Sequence, residues 1–332
     1  MDEIQPKNCT KQEVDTILLD KLAQPCRSSN NSLNIILLQK RARAKFITNP
    51  LTLGLINNNP DSMLKKSYWN TFYCNNTILL QDGKVHSKHC KNRWCLVCTR
   101  IKTATYINAY ISIMKDLPDK QFVTLTVKNV PYNNLTQTLN KMQSSFNQIK
   151  SNHTLRGLFK GIRKLEITYN PITDEYHPHY HLVVSGYNTA LILVDYWMKL
   201  FPNTSEDAQD IKQIDNDDNS LIEIFKYATK IIQKDIDKPN EKTIYFVALN
   251  NILIALKGRR TFQPFGIKKP KIVDDYSLEL EQQSMDIDFY SWEQELSDWI
   301  NYESGQLLSN YVAPENIKNF VANISKKGNK NG

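Results

Sequence analysis

Apolar positions change period along the chain, and each change marks an element. In "NNLTQTLNKMQSSFNQIKSN" (133–152), Leu135, Leu139, Met142, Phe146 and Ile149 recur at spacings of 4, 3, 4 and 3. That rhythm predicts an amphipathic helix. "QFVTLTVKN" (121–129) alternates apolar and polar residues as a strand does. "GIRKLEITYN" (161–170) reads as a second strand, "PITDE" as a turn, and "EYHPHYHLVVSG" (175–186) as the returning arm of an antiparallel hairpin. Helices are expected over 99–117 and 191–201, a short strand over 208–215, and a helix over 220–233 capped by Ser220. A further helix ends near Leu256, and "KGRRTFQPFGIKKPK" after it reads as basic and irregular. Upstream, "LNIILLQKRARAKF" (33–46) reads as a helix with a basic end, with Pro50 and Asn-Asn-Asn-Pro at 57–60 as breakers. The order β-α-β-β-α-β-α predicts an α+β fold: an antiparallel sheet with helices packed on one face, the other face left open for chemistry.

The returning arm carries His177, His179 and His181. Side chains two apart on a strand share a face, so these imidazoles line one side and Tyr180, Leu182 and Val184 the other. Pro178 cannot donate to a strand ladder, which makes His179 and His181 the regular pair and puts His177 at the rim. Two imidazoles on one face can grip a divalent metal. Glu166 interrupts the opposite arm and can share their face. A carboxylate with two imidazoles makes a three-ligand site with open positions. The plainer alternative is a row of exposed polar residues, with Glu166 paired to Lys164 or Arg163.

Four of the six cysteines, Cys74, Cys90, Cys95 and Cys98, follow the pattern C-x15-C-x4-C-x2-C. In a reducing compartment that pattern reads as a tetrahedral structural zinc site, with His86 and His89 as substitute ligands. Lys91, Arg93 and Arg100 surround it, with Trp94 among them. Basic residues meet phosphates and an aromatic ring can stack on a base. The alternative is that zinc only pins the fold and Trp94 is core. Cys9 and Cys26 receive no role.

Charge sharpens the picture. The net charge is +8, yet residues 274–303 hold ten Asp or Glu and no Lys or Arg, so the rest of the chain stands at +18. A body this basic favours a nucleic-acid partner over a small-molecule substrate, and Lys226, Arg259 and Arg260 join the candidate DNA contacts. The N-terminus lacks the apolar core of a secretory signal. The longest apolar run, 244–256, is broken by Asn250 and Asn251 and too short for a bilayer. A soluble cytoplasmic protein with no membrane partner is expected.

In "EIFKYATK" (223–230), Glu223 and Tyr227 stand four apart on one helix face, with Lys226 and Lys230 beside the tyrosine. A tyrosine hydroxyl can act as a nucleophile, although most such residues are surface or core edge. Taken together, "HPHYHLVV", "FVTLTVKN", "EIFKYATK", "HCKNRWCLVC" and "ALKGRRTFQPFG" resemble the HUH endonucleases, and most closely the single-tyrosine initiators of rolling-circle plasmid replication. The resemblance runs from about residue 70 to 270. It implies a five-stranded antiparallel nuclease sheet, His179 and His181 as metal ligands with Glu166 as the third, and His177 as an additional histidine. It further implies Tyr227 as the nucleophile and Glu223 as the group that activates water at termination; by position, Lys226 and Lys230 beside the tyrosine could lower its pKa or hold a phosphate, which makes Lys230 a catalytic candidate. The cofactors implied are Mg2+ or Mn2+ at the nuclease site and a structural Zn2+. The partners implied are origin DNA, a stem-loop single-stranded at the nick, with a host helicase and replication proteins; oligomerisation is left open. The same chemistry would suit an HUH transposase or relaxase, and a zinc-dependent DNA-binding regulator without catalysis is the rival from another class. The expected division is an unassigned 1–67, a cysteine module and connecting helix at 68–117, a nuclease core at 118–235, a basic helical extension at 236–272, and an acidic segment with a disordered tail at 273–332, the C-terminal region being mainly helical.

Overall fold

The computed structural model describes residues 30–153, 157–214, 224, 233–234, 242–270, 272 and 287–328. In chain order it begins with α1 (Asn30–Asn58), α2 (Lys65–Phe72), β1 (Thr77–Gln81), β2 (Lys84–Ser87), α3 (Leu96–Lys115), β3 (Lys120–Thr126), α4 (Tyr132–Lys150), β4 (Gly161–Asn170) and β5 (Glu175–Ser185). It continues with α5 (Tyr187–Leu200), β6 (Asp210–Gln213), the short pair β7 (Gln233–Lys234) and β8 (Lys242–Thr243), α6 (Phe246–Ala255), β9 (Phe262–Phe265), β10 (Asp288–Glu293), β11 (Asp298–Ile300) and α7 (Glu315–Gly328). The sequence-predicted helix at 220–233 lies outside the described residues, apart from Ile224 and Gln233, the latter opening β7.

Five strands form one antiparallel sheet in the order β6-β3-β5-β4-β9. The expected hairpin of β4 and β5 lies at its centre. Alternation sends Val123, Leu125, Leu165, Ile167, Tyr180 and Leu182 to one face. There α4, α5 and α6 cover them with Leu135, Met142, Phe146, Leu193, Trp197 and Ile252. Each fully buried Leu, Ile or Phe contributes roughly 1.5–3 kcal/mol, so this face anchors the sheet.

Three expectations need correction. The helices do not all pack on one face: α3 lies across the other, setting Ile107, Tyr110 and Met114 with Ile162 and Val183. The fifth strand comes from Phe262–Phe265, inside the stretch read as irregular. Among its described residues the C-terminal region is not mainly helical, because β10 and β11 join β1 and β2 in a second sheet, order β11-β10-β1-β2.

That second sheet, with α1, α2 and α7, builds a second core around Tyr68, Trp94, Trp292 and Trp299. Helix α6 belongs to both cores: Ala248 and Ile252 face the first, Leu249 and Leu253 the second. This double burial explains why the 244–256 run is apolar on two faces. Pro50 does not break α1, which continues to Asn58. A proline removes the N–H that would bond the carbonyl four residues back. Here that carbonyl, on Phe46, accepts Nε2–H of Gln294 at 2.9 Å instead.

Candidate active site

Glu166 stands opposite His179 in the β4–β5 register, and Lys164 opposite His181. On the other side of β5, Thr124 faces His181 and Thr126 faces His179. The pairing gathers the functional side chains onto the face that α3 only partly covers. Nε2 of His179 and Nε2 of His181 each lie 3.4 Å from Oε2 of Glu166. Lys164 forms an ion pair with the other carboxylate oxygen. Glu166 and His179 are buried, while His181 is partly exposed and leaves a way in.

The imidazoles are set for ligation. Nδ1 of His179 lies 3.1 Å from the His177 carbonyl, which can only accept, so Nδ1 carries a proton and Nε2 is the nitrogen turned to Glu166. Nδ1 of His181 shares a hydrogen bond with the Thr124 hydroxyl at 3.3 Å. Such outer bonds fix ring orientation at metal sites. Burial opposes ionisation of Glu166, but hydrogen bonds from His179 and His181 and the Lys164 ammonium outweigh it and hold the carboxyl well below the usual carboxylate range. His177 stacks on His179, with ring centroids 5.0 Å apart. Burial, then the neighbouring imidazoles, lowers its pKa to about 4. A carboxylate that stays ionised and two imidazoles with their Nε2 atoms turned to it suit a divalent cation: the three ligand atoms fall within 4.8 Å of one another.

The four cysteine sulfurs converge equally closely, within 4.8 Å of one another. Backbone N–H groups of Cys90 and Lys91 donate to the sulfurs of Cys74 and Cys98, each at 3.3 Å. Hydrogen bonds from Cys90, Cys95 and Cys98 favour the Cys74 thiolate, whereas burial and then the surrounding sulfurs push the Cys95 thiol up. One thiolate in this cage opposes the next, so four can ionise together only around a cation. His89 stands at the edge, bonded to Asn75 at 3.0 Å, and His86 is exposed.

The proposed DNA contacts separate. Lys91, Arg93 and Arg260 line a cleft that also reaches Lys164. Trp94 is 7% exposed, edge-on to Tyr68 in the second core, so its ring is a packing residue. Arg259 is committed to the fold: its guanidinium donates to Asn140 Oδ1 at 2.7 Å and to the Ala255 carbonyl at 2.8 Å. Arg100 lies outside the cleft lining, and burial, then Arg43, lowers its pKa to about 10. Tyr227, Glu223, Lys226 and Lys230 lie outside the described residues. Their neighbour Ile224 is buried with Ile162 and Val183, on the same sheet face as the triad. The Glu166–Lys164 ion pair, which the sequence offered as the alternative to ligation, is present together with the two imidazoles.

The replication protein family matches residues 83–311. The chain belongs to this family. It is the family of rolling-circle plasmid initiators that the histidine, cysteine and tyrosine motifs resemble. The match extends past residue 270, into the strands of the acidic segment. A protein of Staphylococcus aureus named Protein rep is 31% identical over 171 residues, which cover 46% of this chain and 74% of that protein. A Protein rep of Streptococcus pneumoniae is 25% identical over 185 residues, covering 48% of this chain and 58% of that protein. No solved structure matches. Among the described residues, no helix is long and apolar enough to cross a membrane.

Proposed function

We propose that this plasmid replication initiator nicks one strand of its origin through a 5′-phosphotyrosine on Tyr227 and rejoins the ends when replication terminates. The observation that carries the reading is the His179–His181–Glu166 cluster, with both Nδ1 atoms engaged and both Nε2 atoms turned to one carboxylate oxygen. A divalent cation held there, Mg2+ or Mn2+, would supply Lewis-acid polarisation of the scissile phosphate. Tyr227 attacks the phosphorus and the 3′-hydroxyl departs, free to prime synthesis. The phosphate remains linked to the tyrosine oxygen, which conserves the bond for rejoining. Lys230 steadies the phosphate. Glu223 takes a proton from the water that attacks at termination. The position of Ile224 on the triad's face supports this assignment. So does strand alternation, which turns Tyr169 and Tyr180 to the helix-covered face and rules them out as nucleophiles at the triad. Zn2+ at the four cysteines would hold the module's loop in shape. The partners in this reading are origin DNA and the host's helicase and replication proteins.

The experiment mixes protein, Mn2+ and a single-stranded origin oligonucleotide and looks for a denaturant-resistant adduct. Tyr227→Phe should lose both cleavage and adduct. Glu223→Ala should keep both, yet leave multimers instead of unit circles on a plasmid carrying two origins in tandem. An adduct on Tyr227→Phe protein overturns the nucleophile; unit circles with Glu223→Ala overturn the role of the glutamate.

A further inference from the structure

A cleft of about 560 Å³ opens beside the triad. One wall is the cysteine-module loop from Lys91 to Trp94, continued by Cys98, Thr99, Lys102 and Tyr106 of α3; the other runs from Lys257 to Phe262 after α6. Lys164, the ion-pair partner of Glu166, also lines it. Among the described residues, seven of the twenty that line it are Lys or Arg and none is Asp or Glu, although the whole chain holds 42 basic and 34 acidic residues. The positive field is therefore concentrated in this concavity. Among the described residues, Nη1 of Arg93 and Nε1 of Trp94, two of the lining residues, are buried donors without an acceptor. The other terminal nitrogen of Arg93 donates to the Arg259 carbonyl at 3.0 Å and ties the two walls together. The amide of Lys91 bonds the Cys98 sulfur, so the cysteine cluster sets the loop that forms the first wall.

We propose that this cleft binds the single-stranded DNA adjoining the scissile phosphate, which makes the cysteine module one wall of the substrate site. The inference rests on the nuclease reading for its direction, because Lys164 joins the cleft to the triad. The chemistry selects the ligand. Many cations without a carboxylate suit successive phosphates. At about 560 Å³ the cleft is of small-ligand size, roughly 300–1,000 Å³, which suits one strand's backbone and not a duplex.

The test uses Lys102→Glu and Lys257→Glu, two exposed residues outside the catalytic set, alone and together. They are placed in a His179→Ala/His181→Ala background, so that no cleavage disturbs the binding measurement. The probe is fluorescein-labelled oligo(dT), titrated by anisotropy over a range of salt concentrations, because backbone recognition needs no origin sequence. The double reversal should weaken binding at least about tenfold, and the slope of log K against log salt should fall by about 0.7 for each cation lost. Hydrogen exchange on the unaltered protein supplies a readout that no folding defect can confound: oligo(dT) should protect residues 91–106 and 257–262. Unchanged affinity and slope with normal zinc content, or no protection of either wall, overturns the cleft. If the walls are protected while the wild type forms no adduct on origin DNA, the cleft stands and the nuclease reading falls.

Discussion

His179 fixes its own tautomer by donating Nδ1–H to the carbonyl of His177, two residues back on the same strand. The motif therefore supplies part of its own orienting shell, and the carboxylate of Glu166 supplies the charge. Glu166→Gln keeps the volume and loses the charge, leaving buried Lys164 without its ion-pair partner. Mn2+ affinity measured by calorimetry should fall at least about tenfold, and removing one member of a buried pair should cost stability, up to about 3–5 kcal/mol. Equal affinity would remove Glu166 from the ligand set. His177 carries a pH signature. Its pKa falls from 6.5 to about 4 on folding, so between those values the unfolded chain binds the proton more readily. Stability attributable to this group is present above pH 6.5 and declines as pH drops towards 4. Without added divalent metal, His177→Gln should flatten the fall in urea midpoint between about pH 6.5 and pH 4; an unaltered slope would show that the rim imidazole titrates normally. The shared face of His177, His179 and His181 was legible in the sequence because strand alternation is rigid. The Glu166–His179 register was not, since it depends on the turn at 171–174. Trp94 could not be placed either, because a tryptophan among basic residues reads the same whether it meets a base or Tyr68.

At the scale of elements, strong periodicity translated well. The amphipathic helix at 133–152 is α4, and the hairpin arms are β4 and β5. Weak or interrupted patterns did not. Strand β9 reads "FQPF", too short to alternate and containing Pro264, which the sheet accepts because β9 is its edge. The β1–β2 hairpin was overlooked although Asp82-Gly83, both at positive φ, is a strong turn signal. Helix α1 gave no sign that it meets α6. Gly54 is where they meet: a Cβ there would lie 2.1 Å from the ring of Phe246. Alanine in a helix interior normally gains up to about 1 kcal/mol over glycine. At this position the clash should win, and Gly54→Ala should destabilise by roughly 1–3 kcal/mol, with Phe246→Leu in the same chain recovering part of the loss. A Gly54→Ala protein that melts higher than wild type would mean the helices can part without penalty.

At the scale of the molecule, the acidic segment's strands are structural members, and this no composition argument could reveal. The structure describes that segment from residue 287 on, and there it closes the sheet begun by the cysteine module. It also supports the N-terminal helix, through Gln294 and the Phe46 carbonyl left unbonded by Pro50. The side chain is aimed by Trp292, whose Nε1–H donates to Gln294 Oε1 at 3.0 Å. Gln294→Ala should therefore orphan a buried carbonyl and cost about 1–3 kcal/mol. Pro50→Ala restores a backbone N–H four residues beyond Phe46, so in that background the carbonyl keeps a partner within its own helix. Losing Gln294 should then matter much less. The Trp292 bond is lost in both arms of the cycle and cancels, which leaves the coupling to report on the Phe46 carbonyl. Urea melts of the four proteins should give a coupling of at least about 1 kcal/mol, well beyond the 0.3–0.5 kcal/mol scatter of independent sites. If the two substitutions simply add, Gln294 does not replace the missing proline N–H, and the clasp between the C-terminal sheet and α1 rests on apolar packing alone.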